Sequence, residues 1–367
     1  MIERLRMHHF RNYDAQDVDF APGLNCLVGP NGQGKTNLLE AVYFLSLLRS
    51  FRTSDLNHLR QWNANVFLLR GVVREGNDCV TDLQISYGEE RRLKVNETLV
   101  YRASDFINHL LCVSFIPEDL SLVQGSPAER RRFLNIAISQ TDPAYFRHLQ
   151  AYQDALQSRN LMLRQPEKYS HQTVAAYDAM LAREGAELES ARIGFAQSLR
   201  LFLEELSPQL LGAGQELSLN YLSRLGPLMQ EEDQDTQALE TKFRENLART
   251  LENDLKRGST SIGPHRSDFT CSLNKVRMNN FSSQGECRIA SLALRMACLK
   301  RLQKMAGNER VTILVDDVIG ELDATRRASF FQVLQNAGQL LFACTELPHF
   351  PYPVDKVFSV SGGRISV

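Results

Sequence analysis

The sequence has little that would place it in a membrane or cross-link it covalently. No uncharged apolar run approaches the roughly 20 residues of a membrane-spanning helix, and the first residues lack the apolar stretch of a signal peptide. Seven cysteines are scattered without a C-x-x-C pair, which argues against a disulfide framework or a zinc site. These absences favour a cytoplasmic protein with reduced thiols and no membrane partner.

Neither sign of charge is in excess. The chain has 42 Lys and Arg against 43 Asp and Glu. A surface that is basic everywhere is therefore excluded, but a local basic face is not, so the bulk charge does not decide whether the protein binds nucleic acid. A hydrophobic fraction of 43% suffices for a full core, and 367 residues suggest two or more domains.

A glycine-rich loop carries the clearest chemical signal. A strand-like run, residues 24–28, leads into it, and apolar residues at helical spacing follow it. The loop has the pattern G-x4-G-K-T and consists of Gly29, Pro30, Asn31, Gly32, Gln33, Gly34, Lys35 and Thr36. In such a loop backbone N–H groups converge on phosphates, the lysine reaches the β and γ oxygens, and the threonine hydroxyl ligates Mg²⁺. The sequence predicts binding of a nucleoside triphosphate, ATP with Mg²⁺.

Two aspartates follow a buried strand near the end of the chain. The apolar run 311–315 leads directly into Asp316 and Asp317. Taken alone, this pattern is more typical of a solvated strand end. Together with the phosphate loop it predicts that Asp316 lies near the Mg²⁺ shell and that Asp317 orients or deprotonates the attacking water.

A helix beginning near residue 284 has two interpretations. Ser283 and Glu286 have the spacing of a capping box, in which each side chain bonds the other residue's backbone N–H. A helix N-terminus that carries Ser283 and Gly285 can also accept a phosphate. The spacing alone does not separate these interpretations.

The pattern of elements changes twice along the chain. Residues 66–95 have the alternation and turn signals of an antiparallel meander. Residues 128–206 and 237–255 have helical periodicity, enough for a short helical arm but not for a long coiled coil. The last third returns to strands and helices, so the sequence predicts an α/β protein with a helical insertion.

Several local strings strengthen these motifs. With them the chain resembles the SMC/Rad50 class of ABC-type ATPases and, within that class, the RecF family of recombination mediators over essentially its whole length. The strings are Phe10-Arg11-Asn12-Tyr13, Ser50-Phe51-Arg52-Thr53, residues 115–120, Gly125-Ser126-Pro127, residues 131–134, Gly263-Pro264-His265-Arg266 with Asp268, and Gly320-Glu321-Leu322-Asp323.

The resemblance implies an ABC-type ATPase head with a helical second domain. The head would be a mixed β-sheet around the phosphate-loop core, with an antiparallel β-subdomain. Residues 1–125 and 258–367 would form this head, the latter carrying the signature, the Asp316 strand and the D-loop. Residues 126–257 would form the helical arm.

The resemblance also implies a homodimer that closes on ATP. Ser283 and Gly285 of one subunit would cap the γ-phosphate held by the other. The D-loop residues Glu321, Leu322 and Asp323 would lie at the same interface. The remaining implied positions are Arg11 and Asn12 near the nucleotide, residues 117–119 near the loop that senses the γ-phosphate, and residues 263–266 on the nucleotide-side or interface surface.

Some positions depart from the family pattern. Glu286 stands where the signature usually ends in Gln, and Ser282 stands where a hydrophobic residue is usual. The expected switch histidine is absent, and Thr345 occupies about that place. We hypothesise slow hydrolysis, with ATP acting chiefly to hold the dimer together.

DNA binding is implied by the resemblance more than by composition. Candidate phosphate contacts are Arg130, Arg131 and Arg132, together with the Arg91-Arg92-x-Lys94 segment. For each cluster alone, a solvated charged face or structural ion pairs are at least as good an interpretation.

The combined prediction is an ATP-dependent DNA-binding protein of recombinational repair. It would act at single-strand gaps or junctions of single- and double-stranded DNA and help load recombinase with RecR. One alternative is the ATP-binding subunit of a transporter, against which stand the β-rich insert and the long separation of Thr36 from Ser283. Another is an ATPase-linked nuclease, for which the chain has no evident acidic metal-binding domain.

Overall fold

A computed structural model describes residues 1–76, 79–212, 214–226, 235–278, 282–318, 320, 322–335 and 337–367. In chain order the strands are β1 (Ile2–Phe10), β2 (Tyr13–Asp19), β3 (Leu24–Val28), β4 (Phe67–Glu75), β5 (Cys79–Tyr87), β6 (Arg91–Val95), β7 (Thr98–Val100), β8 (Leu111–Phe115), β9 (Leu217–Leu222), β10 (Asp268–Leu273), β11 (Val276–Arg277), β12 (Val311–Asp316), β13 (Gln339–Cys344), β14 (Lys356–Ser361) and β15 (Arg364–Ser366). The α-helices are α1 (Lys35–Leu47), α2 (Ser121–Gln124), α3 (Pro127–Ser139), α4 (Pro143–Arg164), α5 (His171–Leu211), α6 (Thr236–Arg257), α7 (Gln284–Ala306) and α8 (Ala324–Leu334). Among the residues covered, no helix combines the length and apolar character needed to cross a membrane.

The chain forms two compact units, each built from separate stretches of sequence. The first comprises Met1–Leu120, Leu206–Gly214 and Ser291–Val367, and the second comprises Ser121–Glu205 and Gln215–Ala290. In this division residues 258–290 fall with the helical unit, whereas the sequence predicted them in the ATPase head. The boundary predicted at 125/126 lies within a few residues of the observed one.

A mostly parallel sheet forms the centre of the first unit. Its strand order is β15-β14-β3-β13-β12-β8, with only β15 antiparallel to its neighbour. Every residue of β12 and β13 is buried, as expected for parallel strands covered on both faces. The pairings Val28↔Cys344 and Asp316↔Ala343 bring the carboxyl ends of β3, β13 and β12 side by side. The loop after β3 and the aspartates after β12 therefore meet at one edge.

An antiparallel sheet of order β2-β1-β4-β5-β6-β7 is the second layer of this unit. The meander predicted from residues 66–95 is confirmed, and β1 and β2 extend it. Met7, Leu69, Ile85 and Leu93 lie side by side on its buried face. Helix α1 contacts both sheets. Even its carboxylate-bearing residue Glu40 is consequently buried.

The second unit combines helices with a small sheet of order β11-β10-β9. The strand predicted at residues 269–273 is observed as β10, but it pairs with β9 and not with the central sheet of the first unit. This pairing joins residues 268–273 to the second unit.

Two fully buried arginines hold the second unit together. Arg159 donates to the carboxylates of Asp178 and Asp254, at 2.5 and 2.9 Å. Arg192 donates to the hydroxyl of Tyr145 at 2.9 Å and to the carbonyl of Pro264 at 2.6 Å. A buried guanidinium is tolerated only with such partners, so these networks fix the packing of α4, α5 and α6.

The Gly263–Arg266 string contributes to this interior. His265 Nδ1 lies 2.7 Å from the Tyr152 hydroxyl, and His265 Nε2 lies 3.0 Å from the carbonyl of Thr260. Burial lowers the pKa of His265 to about 4. A Cβ on Gly263 would meet the Tyr152 hydroxyl at 2.4 Å, and its φ of 124° suits glycine. These contacts give Gly263 and His265 a structural role inside the second unit, whereas Arg266 is exposed, and the surface position that the resemblance implied stays a prediction.

Candidate functional site

The phosphate loop joins the end of β3 to the start of α1. Gly32 and Gly34 have φ of 78° and 123°, values that glycine adopts at little cost. A Cβ on Gly34 would lie 2.8 Å from both Asn12 Nδ2 and the Tyr13 hydroxyl. The Tyr13 hydroxyl also donates to the carbonyl of Gly34 at 2.9 Å. The β1–β2 turn therefore braces the loop from behind, at a position where only glycine fits.

Lys35 is held against the backbone of its own loop. Its ammonium donates to the carbonyl of Gly29 at 2.6 Å and to that of Pro30 at 2.9 Å. The side chain is 8% exposed, so its charge is largely withdrawn from solvent. A cation in this setting attracts an anion more strongly than it would on an open surface.

A cleft of about 460 Å³ opens beside the loop. The carboxyl ends of the central strands contribute Asp316, Asp317 and Thr345 to its wall. The other lining residues are Asn31, Gly32, Gly34, Lys35, Thr36, Asn37, Arg52, Pro117, Glu118, Ala343 and Cys344. The phosphate loop and the Asp-Asp strand end, predicted separately, thus converge on one cavity at the position where doubly wound sheets bind ligands.

Thr36 and Asp316 are directly linked. A hydrogen bond from the Thr36 hydroxyl favours the charged form of Asp316, but burial outweighs it and raises the pKa of this carboxyl. The charges of Glu118 and Asp317 act in the same direction as burial. A buried carboxylate near other carboxylates is stabilised by a cation, and a hydroxyl with one carboxylate is a usual protein ligand set for Mg²⁺ beside phosphates.

Arg11 and Asn12 are not among the described residues that line the cleft, but they lie next to the phosphate loop and its helix. Asn12 donates to the carbonyl of Gln33 at 3.0 Å and accepts from Asn37 at 2.8 Å. Arg11 instead donates to the buried Glu40, at 2.8 and 2.7 Å. The approach of Arg11 and Asn12 to the nucleotide, implied by the resemblance, therefore stays a prediction.

Arg52 lines the cleft, although no role was predicted for it from the sequence. Its guanidinium donates to Asn37 Oδ1 at 3.0 Å, and the hydroxyl of Ser50 accepts its backbone N–H at 2.9 Å. The string around it pointed to the family, but no spacing rule connects a loop arginine after a helix to a phosphate site.

Ser283 and Glu286 form the capping box. The carboxylate of Glu286 accepts from the backbone N–H of Ser283 at 2.7 Å and from its hydroxyl at 2.9 Å, and Ser283 Oγ accepts from the N–H of Glu286 at 3.2 Å. The bond from the Ser283 N–H lowers the pKa of Glu286. A Cβ on Gly285 would meet nothing within 4 Å. The N-terminus of α7 belongs to the second unit. No atom crowds it at Gly285, and the Glu286 side chain folds back to cap the helix.

The D-loop residues are described in part. Leu322 is 9% exposed, and Asp323 Oδ1 accepts from the N–H of Arg326 at 2.9 Å as the N-cap of α8. Glu321 lies outside the described residues. Their predicted place at a dimer interface is not tested by a single chain.

The arginine cluster on α3 divides into different roles. Arg130 is 4% exposed and donates two hydrogen bonds of 2.8 Å to the carboxylate of Asp268. Arg131 is half-buried and donates to the carbonyl of Ser267 at 3.2 Å, whereas Arg132 is exposed. We therefore withdraw Arg130 from the predicted DNA contacts, because its charge is committed to a buried ion pair. Arg131 and Arg132 stay predictions.

Comparisons with known proteins agree with this geometry. The family model described as "RecF/RecN/SMC N terminal domain" matches residues 1–360. A DNA replication and repair protein RecF of Streptococcus agalactiae serotype Ia is 35% identical over 370 residues, covering 100% of this chain and 98% of that protein. A solved structure of the recombination mediator protein RecF with ATP has a TM-score of 0.90 at 29% identity, covering 100% of this chain and 96% of that one. The Smc head domain of Pyrococcus furiosus has a TM-score of 0.55 at 15% identity over 99% and 94% of the two chains, a likeness of fold alone. The predicted fold, an ABC-type ATPase head with a helical second domain, is confirmed.

Proposed function

Because this chain belongs to the RecF family, within the wider group of RecF, RecN and SMC proteins, we propose that it is an ATP-dependent DNA-binding protein of recombinational repair and replication restart. One observation supports the proposal above all others. The ammonium of Lys35, the linked pair Thr36 and Asp316, and Asp317 all lie on one cleft. This is the set of groups that a nucleoside triphosphate requires.

In the proposed complex the triphosphate occupies the loop from Gly29 to Thr36. Lys35 exchanges its backbone carbonyl partners for phosphate oxygens. Thr36 and Asp316 supply the protein ligands of Mg²⁺, which neutralises charge on the phosphates. Asp317 positions the attacking water, and with no histidine at Thr345 we propose slow turnover that serves as a switch.

The proposed closed state is a homodimer. Ser283 and Gly285 of one copy cap the γ-phosphate bound by the other, with Leu322 and Asp323 at the same interface. The exposed, capped start of α7 supports this, because a helix N-terminus attracts phosphate through its free N–H groups and its dipole. DNA at gaps and junctions and RecR are the proposed partners, with Arg131 and Arg132 as candidate phosphate contacts.

Sedimentation of the full chain with and without ATP and Mg²⁺ tests the proposal. Wild type should dimerise only with nucleotide, whereas Lys35→Met and Ser283→Arg should stay monomeric. Ser126→Arg is a matched control, because Ser126 caps α3 in the same unit through an equivalent box with Glu129. Dimers in Ser283→Arg would refute the site in trans. DNA affinity that is equal with and without ATP would refute the switch.

A further inference from the structure

The antiparallel sheet of the first unit carries an ordered row of side chains on its outer face. Cross-strand pairing places His8, Leu68, Ser86 and Arg92 next to one another. Val100 pairs with Leu93, so the following residue, Tyr101, continues the row beside Arg92. This face is opposite to the one that packs on α1, because side chains alternate along each strand.

Cations on this face differ in whether a carboxylate neutralises them. Arg6 and Arg70 are paired with Asp17 and Asp82, at 2.9 and 2.7 Å. Arg92 and Lys94 point to the same face and form no ion pair with any residue the structure describes. Among the described residues, Arg92 and Lys94 are therefore cations of this face without a carboxylate in direct contact.

A second cleft, of about 920 Å³, lies at this end. Arg60, Asn65, Ser86 and Arg92 line it, with Glu89 and Glu90 from the β5–β6 turn. Arg60 donates to two neutral acceptors, Asn57 Oδ1 at 2.8 Å and the carbonyl of Asn65 at 2.9 Å, so its charge is also available to a ligand.

Two aromatic residues that neighbour the lining residues, Trp62 along the chain and Tyr101 by strand register, are almost fully exposed. Trp62 is 93% exposed, and it lies in the turn between Arg60 and Asn65, where the N–H of Ala64 donates to the carbonyl of Gln61. Tyr101 is 88% exposed beside Arg92. Large exposed aromatic residues close to unpaired cations are the composition of a base-stacking platform, since rings stack on bases and cations contact the phosphates between them.

We propose that this face binds single-stranded DNA, with bases stacked on Trp62 and Tyr101 and phosphates on Arg60, Arg92 and Lys94. Glu89 and Glu90 repel phosphate, which confines the strand to the arginine side of the cleft. The ligand class rests on the proposed function, but the site requires neither ATP nor a second copy of the chain. A protein partner docking on the two aromatic residues is the competing occupant.

The chain's single tryptophan makes the test direct. Oligo(dT) of about 12 nucleotides, within the range of known single-strand sites, is titrated into full-length protein without ATP. Tryptophan emission should be quenched. An abasic oligonucleotide of the same length, which has phosphates without bases, should quench much less. Equal quenching by both would overturn stacking.

Variants then locate the contacts, with labelled oligo(dT) followed by anisotropy. Trp62→Ala and Tyr101→Ala should each weaken binding by roughly 5- to 150-fold, and Trp62→Phe should retain most of it. Arg92→Gln and Lys94→Gln should each lower the slope of log affinity against log salt by about 0.7. Leu201→Ala, which removes a side chain 67% exposed on α5, is the matched control and should change nothing.

The Lys35→Met variant separates this proposal from the preceding one. If it loses ATP-dependent dimers but keeps the quenching, both proposals stand. If wild type dimerises with ATP but oligo(dT) binding is unchanged in Trp62→Ala and Tyr101→Ala, the sheet face is not a DNA site and the proposal fails alone. Quenching without any ATP-dependent dimer would sink only the dimer proposal.

Discussion

Glu40 accepts two hydrogen bonds from the guanidinium of Arg11, at 2.8 and 2.7 Å, and its carboxylate is completely buried. The hydroxyl of Ser50 donates to the same carboxylate. One side chain of α1 therefore joins the β1–β2 turn, which braces the phosphate loop, to the segment that carries Arg52. Because Glu40 is fully buried on α1 between the two sheets, solvent cannot replace the partners of its carboxylate.

Replacing Glu40 with Gln should destabilise the protein by about 3 kcal/mol, since it removes the buried counter-charge of the partly exposed Arg11. Nucleotide affinity should fall as well, because Asn12 and Arg52 lose their support. Urea unfolding and titration with a fluorescent ATP analogue measure the two effects. Asp17→Asn, which breaks the exposed pair with Arg6, should cost no more than about 1 kcal/mol. Equal losses of unfolding free energy in Glu40→Gln and Asp17→Asn would contradict the special role of the buried Glu40 carboxylate.

Acidification should weaken Mg²⁺-dependent nucleotide binding earlier than an ordinary aspartate would allow. Burial raises the pKa of Asp316, so this carboxyl takes up a proton, and loses its capacity to ligate Mg²⁺, at a higher pH than usual. Without nucleotide the sign reverses: the folded state binds this proton more tightly than the unfolded chain, so the Asp316 contribution to the unfolding free energy rises as pH falls. The nucleotide affinity is measured from acidic to neutral pH, once with Mg²⁺ and once with EDTA. It should fall with acidification only when Mg²⁺ is present. Asp316→Asn should abolish this pH dependence. If the variant keeps the wild-type pH profile, a group other than Asp316 takes up the proton.

Glu286→Gln should strengthen ATP-dependent dimerisation. Glutamine can retain the box with Ser283, so the cap survives, while a negative charge near the γ-phosphate of the proposed partner copy is removed. A tightening of about five- to tenfold is expected, corresponding to about 1 kcal/mol. Sedimentation equilibrium measures it. The same change at Glu129, in the equivalent box on α3, should leave dimerisation unaltered, and weaker dimers in Glu286→Gln would argue against charge repulsion.

Substitution of Arg130 should affect mainly the stability of the protein, and substitution of Arg132 mainly its affinity for DNA. Arg130→Met leaves the half-buried Asp268 without its partner and should lower the unfolding free energy by about 2 kcal/mol. Arg132→Met, at an exposed position, should change stability by less than about 0.5 kcal/mol and reduce DNA affinity. Thermal unfolding and DNA titration at low temperature distinguish the two. Loss of DNA affinity in a fully folded Arg130→Met protein would restore Arg130 as a contact.

The parts of the site that local sequence encodes were predictable. A phosphate loop requires glycine where φ is positive and lysine after it, and the strand before Asp316 is apolar except for Thr312, so both could be read from neighbouring residues. The spacing of Ser283 and Glu286 likewise contains the capping box.

Features that depend on distant pairing were not predictable. Strand β10 has the same alternating pattern whether it joins the central sheet or β9, and only the three-dimensional pairing of Asp268 with Leu222 decides. The sequence run Arg130–Arg132 looks uniformly basic. Its division into a buried and an exposed arginine follows from helix geometry and from an aspartate far along the chain.

The bonds from Lys35 to the carbonyls of Gly29 and Pro30 have a kinetic consequence. The loop already holds its shape through its own lysine, so an arriving triphosphate does not have to organise a disordered segment. On binding, Lys35 exchanges carbonyl oxygens for phosphate oxygens in a loop that is already formed, so little conformational entropy of the chain is lost. We therefore expect the on-rate for nucleotide to approach that of a rigid receptor, with differences in affinity among nucleotides residing mainly in how long each stays bound.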